Sequence, residues 1–368
     1  MPSKSIVTLS LSGRFLINVE ALNMVESTGN VVRHRRAPIV VHSGERYAVV
    51  YVPVASGETI AYHYQRLLTS IAESMGLSVT DMDRQGYYLK FSSNDIIQYW
   101  YKEVANVVNY NDPCDIEAEL VNASVVADVG GFLYTDKLIK RTSRIRFSYL
   151  VPSFDAVISG AAVSYPQFHV RYAPPQAPSG HQSIYYVESS SALYTLSSVL
   201  VLSDIGKLEY CSEIKSESAH KKVRERTKEI IDKIENERVL RANAALRALI
   251  ALIDGLSFGA KKSRYLPVWD VKSLVISVSY GPVEFTVSPA SDKSYIKKTL
   301  PRAKMAQEKL GLKIKTFIYD GEGIGIPKID GVEVEIYETH TDVLEKASSY
   351  AIELLQEKLK HKPEQEGD

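Results

Sequence analysis

Cysteine is scarce. The 368 residues hold two, Cys114 and Cys211, far apart and with no cysteine or histidine beside them at ligand spacing. That excludes a disulfide framework and a cysteine-based zinc site, and it fits a reducing cytoplasm. An excess of one charge is also missing, since 44 Lys and Arg face 44 Asp and Glu. A protein held to nucleic acid by bulk charge is thereby excluded, and any such site must be a patch or stripe. Long apolar runs are absent too: the stretch 244–253 is broken by Arg247 and closed by Asp254, so no membrane span is expected. Residues 5–12 alternate apolar side chains with hydroxyls, which reads as a strand and not as a signal peptide. No carboxylate cluster has metal-site spacing, and no Ser/His/Asp, Cys/His or helix-turn-helix pattern is present. What is plentiful is core: 45% hydrophobic residues suffice for a sizeable one, in two domains or one domain with large insertions.

Against this neutral background Arg33, His34, Arg35 and Arg36 stand out, with three guanidiniums in four residues. Guanidiniums make flat forks that match phosphate oxygens and stack on bases. They follow a segment, 15–23, that starts as a strand and ends as a polar loop, where a nucleic-acid backbone could lie. A solvated loop with spare charge is the alternative.

The pattern predicts a strand over 5–19, a loop at 27–30, and a hairpin whose strands 38–41 and 47–54 bracket residues 42–45. Ser56 is placed to cap a helix with Ile60, Tyr64, Leu67, Leu68 and Ile71 at helical spacing. Residues 73–130 lose strand character and read as an inserted, mainly helical lobe, with Asp81 and Asp83 in a solvated loop. A strand over 143–151 would carry Arg144 and Arg146 on one face. Strands at 163–172 and 183–187 flank Pro174, Pro175 and Pro178, which cannot continue a ladder, so a hairpin with a stiff tip should project there. Core strand resumes at 191–202. A long charged helix or helix pair over 213–253 buries Ile230, Ile231, Ile234, Leu246, Leu249, Ile250 and Ile253. A strand at 273–280, a basic helix within 288–309, strands at 316–319 and 332–337 and a helix over 342–359 with an acidic tail complete the chain.

The basic residues form short islands: 33–36, then Lys137, Lys140, Arg141, Arg144 and Arg146, then Arg171, then Lys261, Lys262 and Arg264. Converging on one sheet face, they would make a stripe able to follow a phosphate backbone. His34 and His169 could pair as acid and base in a metal-free ribonuclease, although nothing in the sequence places them together. Gly321, Gly323 and Gly325 invite a phosphate-loop reading, but Pro327 and strand-like sequence follow where a helix is required, so a tight hairpin turn is expected.

Several segments resemble a known family. Phe15-Leu16-Ile17-Asn18-Val19-Glu20-Ala21-Leu22-Asn23, with Glu26-Ser27 and Gly29-Asn30, is similar to the first strand and loop of the archaeal DevR-like CRISPR proteins, the Cas-seven backbone subunits of type I-A Cascade. Val52-Pro53-Val54-Ala55-Ser56-Gly57-Glu58, Gly130-Gly131-Phe132-Leu133, Lys140-Arg141-Thr142-Ser143-Arg144 and Phe258-Gly259-Ala260-Lys261-Lys262-Ser263-Arg264-Tyr265-Leu266-Pro267 follow in the expected order. The regions 73–130 and 205–245 match least. The resemblance implies an α+β fold with an RNA-recognition-motif-like (ferredoxin-like) palm at 1–72, 131–163 and 188–340. It implies an inserted helical lobe at 73–130, a β-hairpin thumb at 164–187, a charged helical insertion at about 213–254, and a C-terminal helix and tail at 341–368.

It further implies a cytoplasmic, non-catalytic antiviral-defence subunit with no cofactor. Such a subunit polymerises as a helical filament along the crRNA guide with other Cascade subunits and presents the guide to target DNA. A metal-independent endoribonuclease processing CRISPR precursor RNA is the alternative. On the leading reading Arg33, Arg35, Arg36, Lys137, Lys140, Arg141, Arg144, Arg171, Lys261, Lys262 and Arg264 neutralise phosphate. Asn18, His34, Ser56, Ser143 and His169 then supply hydrogen bonds. No aromatic signature for base stacking stands out, so backbone contact should dominate. Acids at 112–119 are offered to a neighbouring copy's basic patch.

Overall fold

A computed structural model describes residues 5–171, 183–212, 225–255 and 266–360. Strand β1 (Ile6–Glu20) is followed by the hairpin β2 (Met24–Thr28) and β3 (Val31–His34) and by a second hairpin, β4 (Arg36–Ser43) and β5 (Arg46–Pro53). Helix α1 (Gly57–Ser74) comes next, then the shorter α2 (Asp81–Gln85), α3 (Asn94–Trp100), α4 (Pro113–Ala123) and α5 (Val125–Gly130). The small pair β6 (Phe132–Tyr134) and β7 (Ile139–Arg141) precedes β8 (Ile145–Phe147), β9 (Val151–Pro152) and α6 (Phe154–Ile158). The rest is β10 (Val163–Arg171), β11 (Ser183–Val201), α7 (Glu209–Ser212), α8 (Glu225–Asp254), β12 (Val268–Gly281), α9 (Tyr295–Leu310), β13 (Lys313–Asp320), β14 (Glu333–Tyr337) and α10 (His340–Lys360).

The fold is mixed α+β, built on one large sheet. β1 pairs antiparallel with β11 on one side and β12 on the other. β13 extends the sheet antiparallel and β14 parallel. β8 and β9 pair with the inner half of β11, and β10 and β3 with its outer half.

The alternation in β1 explains its central place. Val7, Leu9, Leu11, Phe15 and Ile17 enter the main core with Ile60, Tyr64 and Leu68 of α1, Leu246 and Leu249 of α8, and Leu344 of α10. Each such side chain, fully withdrawn from water, contributes roughly 2 kcal/mol. Thr8, Ser10, Ser12 and Arg14 are buried on the opposite face. Buried hydroxyls need partners, and Ser10 and Ser12 accept from Val287 N and Ala290 N, both at 3.0 Å. A second core joins Phe91, Ile97, Tyr101, Ile116, Leu120 and Phe132 to Ile230 and Ile234, so α8 stitches the two cores together along its length. Ile231 and Ile250 are only half-buried.

Several expectations need correction. The loop at 27–30 belongs to the β2–β3 hairpin. β11 is one continuous strand where two were expected, because its polar interruption at Glu188, Ser189 and Ser190 is buried and bonded: Ser190 Oγ donates to Val163 O at 2.9 Å and meets Tyr194 Oη at 2.6 Å. The strand expected over 143–151 covers only β8 with a break before β9. Arg144 is consequently buried while Arg146 is exposed. Asp83 is buried in the capping box of α2, accepting from Thr80 N at 2.9 Å and Ser124 Oγ at 2.7 Å, and burial pushes its carboxyl up. The turn at Asp320 leads to the parallel strand β14 and not to a hairpin; Asp320 accepts from Ile324 N and Gly325 N, both at 2.9 Å. Cys114 and Cys211 form a disulfide between α4 and α7. Spacing in the sequence could not reveal a pair 97 residues apart, and the scarcity of cysteine no longer argues for a reducing compartment. Among the described residues no helix is long and apolar enough to cross a membrane.

Candidate nucleic-acid interface

The first basic island lies where β3 passes into β4, beside the outer half of β11. Arg33 is exposed and, among the described residues, forms no ion pair. Arg35 is half-buried, its Nε donating to Asn23 Oδ1 at 3.0 Å. Arg36 Nη2 reaches Glu188 Oε1 at 3.1 Å while its side chain stays 49% exposed, so it can still meet a ligand. His34 cannot, being 2% exposed. Its Nδ1 lies 3.3 Å from Arg35 O, which can only accept, so Nε2 accepts from Ser164 Oγ at 2.6 Å. Burial pushes the imidazole below its usual range against the pull of Glu188, and this neutral form pins β3 to β10. Glu188 approaches the same Nε2, at 3.5 Å. Ser56 is likewise withdrawn: its Oγ caps α1, accepting from Thr59 N at 3.2 Å, and donates to Asn23 Oδ1 at 3.4 Å.

The second island divides differently. Lys140 is exposed on β7 and Lys137 is half-buried. Arg141, expected at the surface, is fully enclosed. Its Nη1 pairs with Glu117 at 3.0 Å, its Nη2 with Asp128, and its Nε donates to Asp128 O at 3.0 Å. Arg241 closes the cluster on Asp128 Oδ2 at 3.0 Å. Burial pushes the Asp128 carboxyl up, but Arg141 and Arg241 outweigh it and hold it below the usual range. Arg144 is also enclosed, with Nη2 on Glu209 at 2.7 Å. Ser143 Oγ donates to Ile145 O at 2.6 Å. The acids at 112–119 are engaged within the chain: Asp112 caps α4, accepting from Cys114 N at 2.8 Å, Glu117 pairs with Arg141, Asp115 accepts from Thr227 Oγ1 at 2.6 Å, and Glu119 pairs with Arg226 at 2.9 Å. They are not free for a neighbouring copy.

His169 stacks on Tyr185 across the β10–β11 hairpin, centroids 5.2 Å apart, five positions along β10 from the Ser164 that holds His34. The two histidines are thus not brought together. Arg171 ends β10; its side chain, Lys261, Lys262 and Arg264 lie outside the described residues. Asn18 borders a cleft of about 930 Å³ with Leu16, Val163, Ser191 and Asp155. Beside the cleft lies a residue that the sequence reading missed. Arg14 is fully buried and bonds Asp155 at 2.6 Å, Glu322 at 2.7 Å and Ala290 O at 3.1 Å. Its signal was an arginine at a hydroxyl position of an otherwise inward-facing strand. Among the described residues the first two basic islands occupy separate elements, β3–β4 and β7–β8. Lys137 and Lys140 belong with the helical region, and Arg33 and Arg36 with the projecting hairpins.

The geometry defines a mixed α+β protein whose candidate surface cations lie at two places, the β3–β4 junction and β7. The family described as "CRISPR-associated negative auto-regulator DevR/Csa2" matches residues 11–300, and the chain belongs to that family. It is 36% identical over 346 residues to "CRISPR-associated aCascade subunit Cas7/Csa2 2" of Saccharolobus solfataricus, covering 92% of this chain and 98% of the relative. It is 26% identical over 283 residues to "CRISPR-associated protein Cas7/Cst2/DevR" of Thermoproteus tenax, covering 74% of each. Among solved structures, a chain of a "CRISPR RNA-guided surveillance complex" superposes with a TM-score of 0.47 at 9% identity, over 94% of this chain and 99% of that one.

Proposed function

We propose that the chain is a non-catalytic backbone subunit of a type I-A Cascade complex. It polymerises along the crRNA guide in the cytoplasm and, with other Cascade subunits, presents the guide for pairing with target DNA. The observation that carries this reading is the likeness, over 92% of the chain, to a protein named as an aCascade subunit. The strand order supports it. β12, β1, β11 and β8 stand side by side and antiparallel, with α1 between β1 and β8 in the chain and α8 between β11 and β12. This order is the one expected of a ferredoxin-like, RNA-recognition-motif-like palm, and the β10–β11 hairpin is read as its thumb. Arg33, Arg36 and Lys140 supply exposed charge for phosphate. A neutral chain can bind a polyanion locally and still pack against copies of itself in a non-closing, head-to-tail interface.

Electron micrographs and the ultraviolet absorbance ratio of the purified protein test this. Helical filaments holding co-purified RNA are expected. Protein that stays RNA-free and unassembled when guide RNA is added would sink it. Repeat RNA incubated with the protein in EDTA should stay intact; cleavage abolished by His169→Ala would make the chain a metal-independent endoribonuclease instead. The family's description as a negative auto-regulator favours a second reading, binding to duplex DNA of its own operon. Duplex affinity equal to that for single-stranded RNA would support that reading.

A further inference from the structure

The β4–β5 hairpin is inverted with respect to water. In a two-stranded ribbon with one covered face, the outer face is normally polar. Here Val41 and Val52 are buried on the inner face, and the outer face carries Val40, Tyr47, Val49 and Tyr51, which are 57%, 77%, 63% and 67% exposed. The register pairs Pro38 with Tyr51, Val40 with Val49 and His42 with Tyr47, so all six share that face. The His42 and Tyr47 rings lie 5.0 Å apart. β4 and β5 pair only with each other, and among the described residues nothing covers the ladder. A contiguous apolar face left open to water marks a contact surface.

Its surroundings choose the partner. Residues 31–55 contain Arg33, Arg35, Arg36 and Arg46 and a single acid, Glu45. Arg36 stands at the root of the ladder, on the same face as Pro38 by strand alternation, and Arg46 stands at the tip, beside Tyr47 in the chain but directed to the other face. The large groups on the face are tyrosines and a histidine, with no leucine, isoleucine, phenylalanine or methionine. Aromatic rings flanked by guanidiniums suit unpaired bases, whose π-faces stack on any ring while cations hold the phosphates. They do not suit a duplex, whose base faces are already covered.

We propose that the outer face of the β4–β5 hairpin is a base-stacking platform for single-stranded nucleic acid, with Tyr47 and Tyr51 as its rings. Four residues apart on one strand, the two rings are roughly 13 Å from each other and would meet separate bases. The proposal rests on the RNA-binding reading above and sharpens it, because the backbone contacts expected from sequence are here joined by contacts to bases.

The test measures the affinity of an unstructured single-stranded RNA over a range of salt, for the whole chain and for the Tyr47→Ala/Tyr51→Ala and Tyr47→Phe/Tyr51→Phe variants. The alanine pair should weaken binding about tenfold per tyrosine with an unchanged salt slope, and the phenylalanine pair should restore it. Both tyrosines are exposed, so the melting temperature should not move. Alanine variants that bind RNA as tightly as the unaltered chain overturn the platform. So does a loss that phenylalanine fails to repair, or a loss confined to self-association in sedimentation, which would make the face a contact between copies. An unaltered chain that binds no RNA sinks the RNA-binding reading itself, a result distinct from any of these.

Discussion

The two basic islands read alike in sequence and fold into opposite things. At 33–36 the outer charges stay at the surface, Arg33 open and Arg36 half-exposed beside Glu188. At 137–146 two of the three arginines turn inward: Arg141 is sealed against Glu117 and Asp128, and Arg144 is held by Glu209. The difference lies in acids that sit elsewhere in the chain. Glu117 and Asp128 rise from α4 and α5 to meet Arg141, whereas among the described residues only Glu188 reaches the first island. A run of arginines states a charge. Whether it faces phosphate or protein depends on which carboxylates the topology delivers to it.

The largest effect should come from removing the buried charge. Arg141→Ala strips Glu117 of its ion-pair partner and leaves Asp128 to Arg241 alone, in a site closed to water. Breaking a buried pair from one side costs on the order of 3–5 kcal/mol. We expect a strongly lowered denaturant midpoint and RNA affinity per folded molecule close to that of the unaltered chain. A stable Arg141→Ala variant with weakened RNA binding would reverse the comparison. Replacing Arg141 and its carboxylates together by apolar residues of similar volume should cost much less than the single change, since no charge is then left unpaired.

The disulfide tests what holds those acids in place. Cys114 and Glu117 share α4, Glu209 and Cys211 share α7, and Glu117 also accepts from Tyr210 N at 2.8 Å. The bond thus clasps the two helices whose carboxylates neutralise Arg141 and Arg144. Closing a loop of 97 residues stabilises by about 2–4 kcal/mol, chiefly by restricting the unfolded chain. Cys114→Ser or a thiol reductant should lower the midpoint by a corresponding amount without touching the salt dependence of RNA binding. An unchanged midpoint on full reduction would mean that the ion pairs and packing hold α4 and α7 together unaided.

Much of the scaffold was legible, for reasons that also mark where legibility ends. β1 shows because its hydroxyls alternate strictly with its apolar residues, and α1 shows because Ser56 precedes a helical repeat. Both signals are local. The continuity of β11 was hidden because its polar residues at 188–190 are satisfied chiefly by His34, Arg36 and Val163, all distant in sequence. Asp83, Cys114, Arg141 and Arg144 were misread for the same reason: each has a partner that no window around it contains. At the site, the exposure of Arg33, Arg36 and Lys140 follows from their strand positions, while the enclosure of His34 needs β10 folded against β3. The tyrosine ladder was visible as a hairpin but not as a surface. An alternating strand does not say which of its faces is covered, and both faces of β4 and β5 are rich in apolar residues.

The smallest effect on stability and the most specific effect on binding should come from Arg33. It makes no ion pair among the described residues, so Arg33→Ala leaves no buried acid uncompensated and should leave the melting temperature where it is. If Arg33 meets phosphate, the change should weaken binding equally for RNAs of every sequence and flatten the slope of log affinity against log salt by about one unit. Arg36→Ala should flatten the slope less, because Glu188 already neutralises part of that guanidinium's charge before RNA arrives. Equal slopes for the unaltered chain and both variants would remove the first island from the interface. A larger change at Arg36 than at Arg33 would show that the Glu188 pair opens on binding, and that the two islands differ in how firmly their acids hold them.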